Sequence, residues 1–247
     1  MRSDQIRLAI GQLQALVDQR LPERFYRSEP RWRTALTGLM ARIAGISGSI
    51  ARLAEPEHVA DALTLLRSLY DHTVLFAWLS ISPEERVERW HEAARQQRLA
   101  MGADAQDNLG VPLFGDEDLE GARGERGIPE HVAERAAEAD VYWSERIAGL
   151  HTATDAKHHM LSLRGLYTVI FRMGSRTTHG SLDSIDYCAD NDRGRLIVHS
   201  QTAPNLMWPA LAVPLFAIAL VIASERLGWP DAEKARMINE AFGANDD

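Results

Sequence analysis

The sequence predicts an all-α protein, a single multi-helix bundle of residues 1–247 with one small β-hairpin near 184–199. Apolar side chains recur at three- and four-residue steps along most of the chain, which is the period of an amphipathic helix. Helix-start signals precede several of these segments, the clearest being Ser-Pro-Glu-Glu at 82–85. Hydrophobic residues make up 45% of the chain and charged residues 25%, as in globular proteins with a sizeable core.

The first three helices are predicted at 3–20, 31–53 and 57–79. The first is amphipathic, and Ser3 is expected to cap its start. The third is apolar nearly all round after Asp61, so it is expected to be central and buried. The second contains three glycines that either allow a neighbouring helix to approach closely or are simply tolerated: Gly38, Gly45 and Gly48.

The remaining helices are predicted at 83–101, 129–150, 154–178, 206–224 and 230–242. Residues 102–127 are rich in Gly, Asp and Glu, which predicts a flexible loop or lid. After Gly180 two short β-rich runs, 184–187 and 196–199, flank an Asp/Asn/Gly turn and predict the hairpin.

Residues 206–223 contain no charged side chain, and a run of about 18 apolar residues is long enough to cross a membrane. Pro209 and Pro214 lie inside this run, alanines make it less hydrophobic than a leucine-rich span, and no basic residues flank its upstream side. We therefore expect a buried core helix here rather than a membrane span.

The charge balance and the single cysteine narrow the classes of function. A net charge of −8 argues against a generic nucleic-acid binder, and no DNA-specific motif is present, but a small basic site on an acidic body is compatible with it. One cysteine excludes an internal disulfide framework and a cysteine-rich zinc site, and it suits the cytoplasm. The sequence contains no Walker loop, dinucleotide fingerprint or nucleophile elbow, so we expect no cofactor.

The densest polar cluster in a predicted helix lies at 171–181, with the sequence FRMGSRTTHGS. A helix turns about 100° per residue, so residues three, four and seven apart share one face. Histidine is the natural general acid/base near neutral pH, and arginine is the natural partner of a phosphate or carboxylate. Four polar residues on this face are therefore the candidate catalytic residues: Arg172, Ser175, Arg176 and His179.

A second pair of charges lies in the helix that is predicted to be buried. Arg67 and Asp71 are four residues apart, and charged side chains are rarely buried without a partner. The two can pair with each other, or they can reach the 171–181 stretch and support it. The same residues also allow a simpler interpretation, in which a buried polar network ties two helices together in a non-catalytic binding or regulatory module.

A cluster with metal-ligand spacing lies at the start of the predicted helix 154–178. It precedes the apolar part of that helix, so a solvated helix start is expected in preference to a metal site. Its members are His151, Asp155, His158 and His159.

Two stretches resemble a bacterial family of uncharacterised helical domains, the one numbered 5677 among domains of unknown function. FRMGSRTTHGS is similar to its Tyr-Arg-x-x-Ser-x-x-x-His-Gly/Pro-Ser signature. LLRSLYDHTVLFAWL at 65–79, followed by PEERVERW at 83–90, is similar to its other recurrent block, in which an arginine and an acid four residues on lie on a hydrophobic helix. The resemblance covers 62–90 and 166–181.

More remotely, Arg172 and His179 resemble the Arg-x(four to six)-His pattern of the HEPN superfamily, all-helical proteins common in toxin–antitoxin and phage-defence systems. Many of those proteins are metal-independent ribonucleases that act as dimers. The resemblance implies that His179 is the acid/base acting on the RNA 2′-hydroxyl or leaving oxygen, and that Arg172 stabilises the phosphate. It implies assistance from Arg176 or Ser175, and a homodimer whose partner is RNA or another protein.

Overall fold

Nine α-helices and one π-helical turn make up most of the residues that the computed structural model describes, which are 2–21, 29–55, 58–109, 131–148, 162–171, 189–190, 195–196 and 206–243. In chain order the helices are α1 Ser3–Asp18, α2 Arg31–Arg52, α3 Val59–Leu79, α4 Pro83–Leu109, α5 Val132–Ala148, α6 Leu163–Leu166, α7 Met207–Ala210, α8 Ala212–Leu227 and α9 Ala232–Gly243. The π turn is Tyr167–Phe171, directly after α6. The predicted all-α helical bundle is confirmed.

The core is built around α3 and α8, the two helices whose sequences are apolar on nearly every side. An apolar helix has no face suited to water, so other helices must surround it. Helices α2, α5 and α8 pack against α3, and α1, α2 and α9 pack against α8. The buried side chains form one contiguous hydrophobic cluster, with Tyr70, Phe76 and Phe216 among its largest fully buried members.

The stretch Met207–Leu227 is the one helical segment among the described residues that is long and apolar enough to cross a membrane, with a mean hydropathy of 2.1. Inside the protein 72% of its most apolar window is buried, as in the core helix that the sequence predicts. One continuous helix was predicted, but α7 and α8 are separate. Pro214 lacks the N–H that would bond the Ala210 carbonyl, and the helix breaks at Leu211.

Helix α4 is longer than the sequence predicts. Its end was predicted at Met101, with the loop or lid 102–127 to follow, but α4 continues to Leu109. A glycine inside a helix costs only about 1 kcal/mol relative to alanine, and the alanines at 103 and 105 are the best helix formers. The composition of 102–109 therefore does not end the helix. Residues 110–127 lie outside the described residues.

Ser3 does not cap α1, contrary to the prediction. The cap position is Arg2, whose backbone N–H donates to Gln5 Oε1 at 3.0 Å. Ser3 Oγ instead donates to Glu55 Oε2 at 3.2 Å, and the other oxygen of Glu55 accepts from Arg7. Ser3 therefore fastens the start of α1 to the chain that follows α2.

The three glycines of α2 differ in their surroundings. A Cβ on Gly48 would come within 2.3 Å of Gln14 Nε2, which donates to the Ala44 carbonyl at 2.9 Å. A Cβ on Gly38 or Gly45 would meet nothing within 4 Å. Close approach of a neighbouring helix therefore explains Gly48 alone.

The hairpin region contains one short ladder. The strands β1 Ala189–Asp190 and β2 Arg195–Leu196 pair antiparallel, with Ala189 opposite Leu196. The runs 184–187 and 197–199 lie outside the described residues. A two-residue ladder does not establish a hairpin over 184–199, which stays a prediction.

Candidate functional site

The predicted site residues divide into two groups. Arg172, Ser175, Arg176 and His179 lie outside the described residues, as does the cluster of histidines and one aspartate at 151–159. Arg67 and Asp71 are described, on α3 beside the π turn. The residue that follows the last residue of this turn, Phe171, is Arg172.

The segment 162–171 is fastened to α5 at its start. Ser162 is the N-cap of α6, and its Oγ accepts from the Gly165 N–H at 2.8 Å. The two oxygens of Asp140 on α5 accept from the N–H groups of Leu163 and Arg164, each at 2.8 Å. Burial raises the pKa of the Asp140 carboxyl, and these hydrogen bonds oppose that rise. The first three N–H groups of α6 are thus all bonded to side chains.

The same segment is fastened to α3 by Tyr70. Its hydroxyl is buried and donates to the Leu163 carbonyl at 2.7 Å. Burial raises the pKa of Tyr70, and the nearby carboxylates of Asp140 and Asp71 add to the rise. The neutral hydroxyl is therefore kept as a hydrogen-bond donor. Helices α3 and α5 together hold the short helix from which the π turn leads to the 171–181 stretch.

The π turn ends in a stack of three side chains. The rings of Tyr167 and Phe171 are 4.9 Å apart at 17°, and the guanidinium carbon of Arg67 lies 4.7 Å from the centre of the Phe171 ring. An arginine over an aromatic face is attracted by the negative charge of the ring face. Arg67 therefore holds the end of the π turn against α3.

Arg67 and Asp71 do not pair with each other as a helical i, i+4 ion pair would. Neither side chain makes a hydrogen bond or ion pair with any described residue, and Arg67 Nε and Asp71 Oδ1 are buried without a partner. Arg135 of α5 is in the same state, with a buried Nε and no partner. Its guanidinium carbon lies 5.7 Å from the Trp78 ring centre. These three residues are called the Arg67–Asp71–Arg135 cluster below.

This lack of partners is unusual within the described part of the chain. The other half-buried arginines each make a hydrogen bond or an ion pair: Arg20, Arg86, Arg226 and Arg236. Half-buried charges cost stability when they are unpaired. These two cationic donors and one carboxyl thus have hydrogen-bonding capacity that the described residues do not use.

Burial raises the pKa of the Asp71 carboxyl above its usual range. The positive charges of Arg67, His72 and Arg135 oppose the rise only in part. Perturbed pKa values are common among the ionisable groups of functional sites.

Asp71→Asn is expected to raise the melting temperature slightly at neutral pH, on the order of 1 °C. An acid with a raised pKa in the folded state destabilises the fold once it ionises, and that cost disappears as the pH falls below the folded pKa. Thermal unfolding of both proteins from neutral pH to about pH 4.5 measures the difference. Asp18→Asn, at an exposed carboxyl, is the matched control. A lower melting temperature for Asp71→Asn at neutral pH would show that the ionised carboxylate stabilises the fold.

Sequence reasoning missed Arg135. The core-facing side of α5 carries Ala136, Ala139 and Trp143, all fully buried. Arg135 is one turn before Ala139 and thus lies at the edge of that side. A charge at the border of an apolar helix face is the signal that could have identified it, as it did for Arg67.

A cleft of about 690 Å³ lies between α4 and α5, and its lining includes Ile81, Val141, Arg86 and Glu138. Arg86 and Glu138 pair at 3.1 Å, and Glu138 also accepts from Trp78 Nε1 at 2.9 Å. Arg86 and Glu138 therefore help to hold α3, α4 and α5 together.

One protein family matches the chain. Residues 33–195, which are 163 of the 247, match a family of unknown function, DUF5677. The match includes the Arg67–Asp71–Arg135 cluster and the whole 171–181 stretch, and it is the family that the two sequence blocks resemble. No curated protein and no solved structure matches the chain.

Proposed function

We propose that this chain, which belongs to the DUF5677 family of unknown function, is a HEPN-like, metal-independent ribonuclease of a bacterial defence or toxin–antitoxin system. The observation that carries the proposal is that Arg67 lies over the ring of Phe171 and belongs to a charged cluster that has no partner among the described residues. Arg172, the next residue of the chain, begins the Arg-x(six)-His pattern that ends at His179. An unpaired polar cluster with a perturbed carboxyl is typical of functional sites.

The proposed reaction is intramolecular transesterification of RNA. His179 accepts the proton of a ribose 2′-hydroxyl, the 2′-oxygen attacks the adjacent phosphorus, and the bond to the 5′-oxygen breaks. The leaving 5′-oxygen takes up a proton, which a second copy of His179 supplies in a homodimer. Arg172 stabilises the charge on the phosphate, and Ser175 or Arg176 assists. The products are a 2′,3′-cyclic phosphate and a 5′-hydroxyl, and no metal takes part.

A second candidate function is a non-catalytic helical module that binds or regulates another protein. The observation in its favour is the location of Arg67 and Asp71 on α3, a core helix, half-buried and one turn apart. In this alternative, residues of the 171–181 stretch complete a buried polar network. Substitution of these residues would then lower the stability of the fold, and the wild-type protein would show no RNA cleavage.

Cleavage of single-stranded RNA tests the first function against the second. We expect wild-type protein to cleave RNA in the presence of EDTA and to leave DNA intact, because DNA lacks the 2′-hydroxyl. His179→Ala and Arg172→Ala are each expected to lower the cleavage rate about 100-fold or more, the usual contribution of a general acid/base or charge stabiliser. They are also expected to relieve growth inhibition on expression.

His131→Ala and Arg42→Ala are the matched controls, since both residues are exposed and lie on other helices or at their ends. Folded His179→Ala that cleaves RNA as wild type does would rule out the ribonuclease. A large fall in melting temperature for His179→Ala, with no RNA cleavage by wild type, would favour the non-catalytic module.

A further inference from the structure

The π turn Tyr167–Phe171 is not explained by its own sequence. In a π turn an N–H bonds a carbonyl five residues back instead of four, and such turns are rare but frequent at functional sites. The sequence YTVIF contains no glycine or proline and is compatible with an ordinary α-helix. Contacts with other parts of the fold must therefore select the π conformation.

The hydrogen bonds that hold this segment lie at its start. Asp140 of α5 accepts from the N–H groups of Leu163 and Arg164, and Tyr70 of α3 donates to the Leu163 carbonyl. These bonds fix where α6 begins, but they lie about two turns before the last residue of the π turn. The direction in which the chain leaves Phe171 therefore depends on other contacts.

Two consecutive side chains hold the end of the π turn. Ile170 is fully buried in the core. Phe171 is half-buried, with its ring 4.9 Å from the ring of Tyr167 and 4.7 Å from the guanidinium carbon of Arg67. A helix end that is held by one side chain can still rotate about it, whereas a second contact in another direction prevents that rotation. Arg67, on the core helix α3, supplies this second contact and is called the Arg67–Phe171 clamp together with the ring.

We propose that Arg67 is a positioning residue, which acts through Phe171 and does not contact RNA itself. Consecutive Cα atoms are about 3.8 Å apart, so a contact that fixes Phe171 also fixes the point from which Arg172 starts. A displacement of about 1 Å at a catalytic group can lower a rate by about 100-fold. The effect on catalysis rests on the proposed ribonuclease function, whereas the clamp itself does not.

The kinetics of RNA cleavage test the positioning role. Arg67→Met removes the cation from the ring face and is expected to lower kcat about ten-fold with little change in KM, because the substrate loses no contact. Arg67→Lys keeps a cation that can lie over the ring and is expected to restore most of the rate. Arg42→Met removes the same charge from an exposed position on α2 and is expected to behave as wild type does.

A double-mutant cycle shows whether Arg67 acts through Phe171. Phe171→Leu removes the other half of the clamp and is expected to lower kcat as Arg67→Met does, whereas Phe171→Tyr keeps the ring and is expected to be close to wild type. Because both changes remove one interaction, the double variant is expected to be no slower than the slower single variant. Multiplied losses, or a rise in KM with unchanged kcat for Arg67→Met, would overturn the positioning role.

Hydrogen–deuterium exchange of the full chain tests the clamp without RNA. The N–H groups of 163–171 are expected to exchange several-fold faster in Arg67→Met and in Phe171→Leu, while those of α1 exchange as in wild type. Unchanged exchange at 163–171 would overturn the clamp. Faster exchange in a protein whose wild type cleaves no RNA would overturn the ribonuclease and leave the clamp standing. Faster exchange with an unchanged kcat would overturn the positioning role alone.

Discussion

Trp143→Ala is expected to lower the free energy of unfolding by about 4 kcal/mol, as for other fully buried tryptophans. Trp143 has no exposed surface and is the largest fully buried side chain described. Its Nε1–H donates to the Ala77 carbonyl at 2.9 Å. Ala77 lies in the last turn of α3, where carbonyls have no partner within their own helix. The substitution therefore leaves both a cavity between α3 and α5 and an unsatisfied buried carbonyl.

Two control variants divide this effect into its parts. Trp143→Phe keeps most of the apolar volume but loses the donor, and it is expected to cost about 1–2 kcal/mol. Trp90→Ala removes a half-buried tryptophan of α4 and is expected to cost less than Trp143→Ala. Denaturant unfolding followed by circular dichroism measures all three. A cost below about 1 kcal/mol for Trp143→Ala would contradict the packing of α5 against α3.

Removal of the ion pair between Arg20 and Asp231 is expected to have the second-largest effect. Asp231 is fully buried just before α9, and Arg20, just after α1, donates Nε to Oδ2 at 2.8 Å and Nη2 to Oδ1 at 3.3 Å. The hydrogen bond that Arg20 donates to Asp231 raises the pKa of Arg20. Asp231→Ala is expected to cost about 2 kcal/mol, because the freed guanidinium is partly exposed and can return to water.

Arg20→Ala is expected to be the more harmful of the two changes. It leaves the buried carboxylate of Asp231 without its partner, whereas Asp231→Ala leaves no buried charge. An unpaired buried carboxylate prefers to be protonated, so the deficit of Arg20→Ala is expected to shrink as the pH falls. Denaturant unfolding at neutral and mildly acidic pH measures this.

The exposed pair Arg31–Glu88 provides the control, since Arg31→Ala is expected to change stability by about 0.5 kcal/mol or less. An equal loss of unfolding free energy for Arg20→Ala and Arg31→Ala would mean that the burial of Asp231 does not strengthen its ion pair. In that case the pair would contribute little to holding α1 against α9.

The helices that could be predicted are those whose periodicity or start signal is local. The start of α4 at Pro83 and the burial of α3 and α8 follow from residues that are neighbours in the chain. The predicted end of α4 was wrong because glycine and aspartate lower the propensity of a segment to be helical but do not prevent a helix. The π turn at 167–171 was not predicted, since its sequence YTVIF is compatible with an ordinary helix.

The candidate site was predictable only in part, for the same reason. Arg67 and Asp71 were identified because they are charged residues on an apolar helix, which is a local pattern. Of the two alternatives left open for them, an ion pair with each other is not formed. Arg135 was missed because its place near Asp71 depends on how α5 lies against α3. The roles of the 171–181 stretch stay predictions.

The sequence by itself determined the helical class, the two helices that must be central, the family and the charged residues that stand out against apolar surroundings. Only the tertiary structure decided which charges are paired. Arg20 forms an ion pair with a carboxylate 211 residues away, while Arg67 and Arg135 lie against aromatic rings and form no ion pair with any described residue. The physical reason is that burial of apolar surface depends on composition and period, whereas hydrogen bonds and ion pairs depend on distances and angles between side chains from distant parts of the chain.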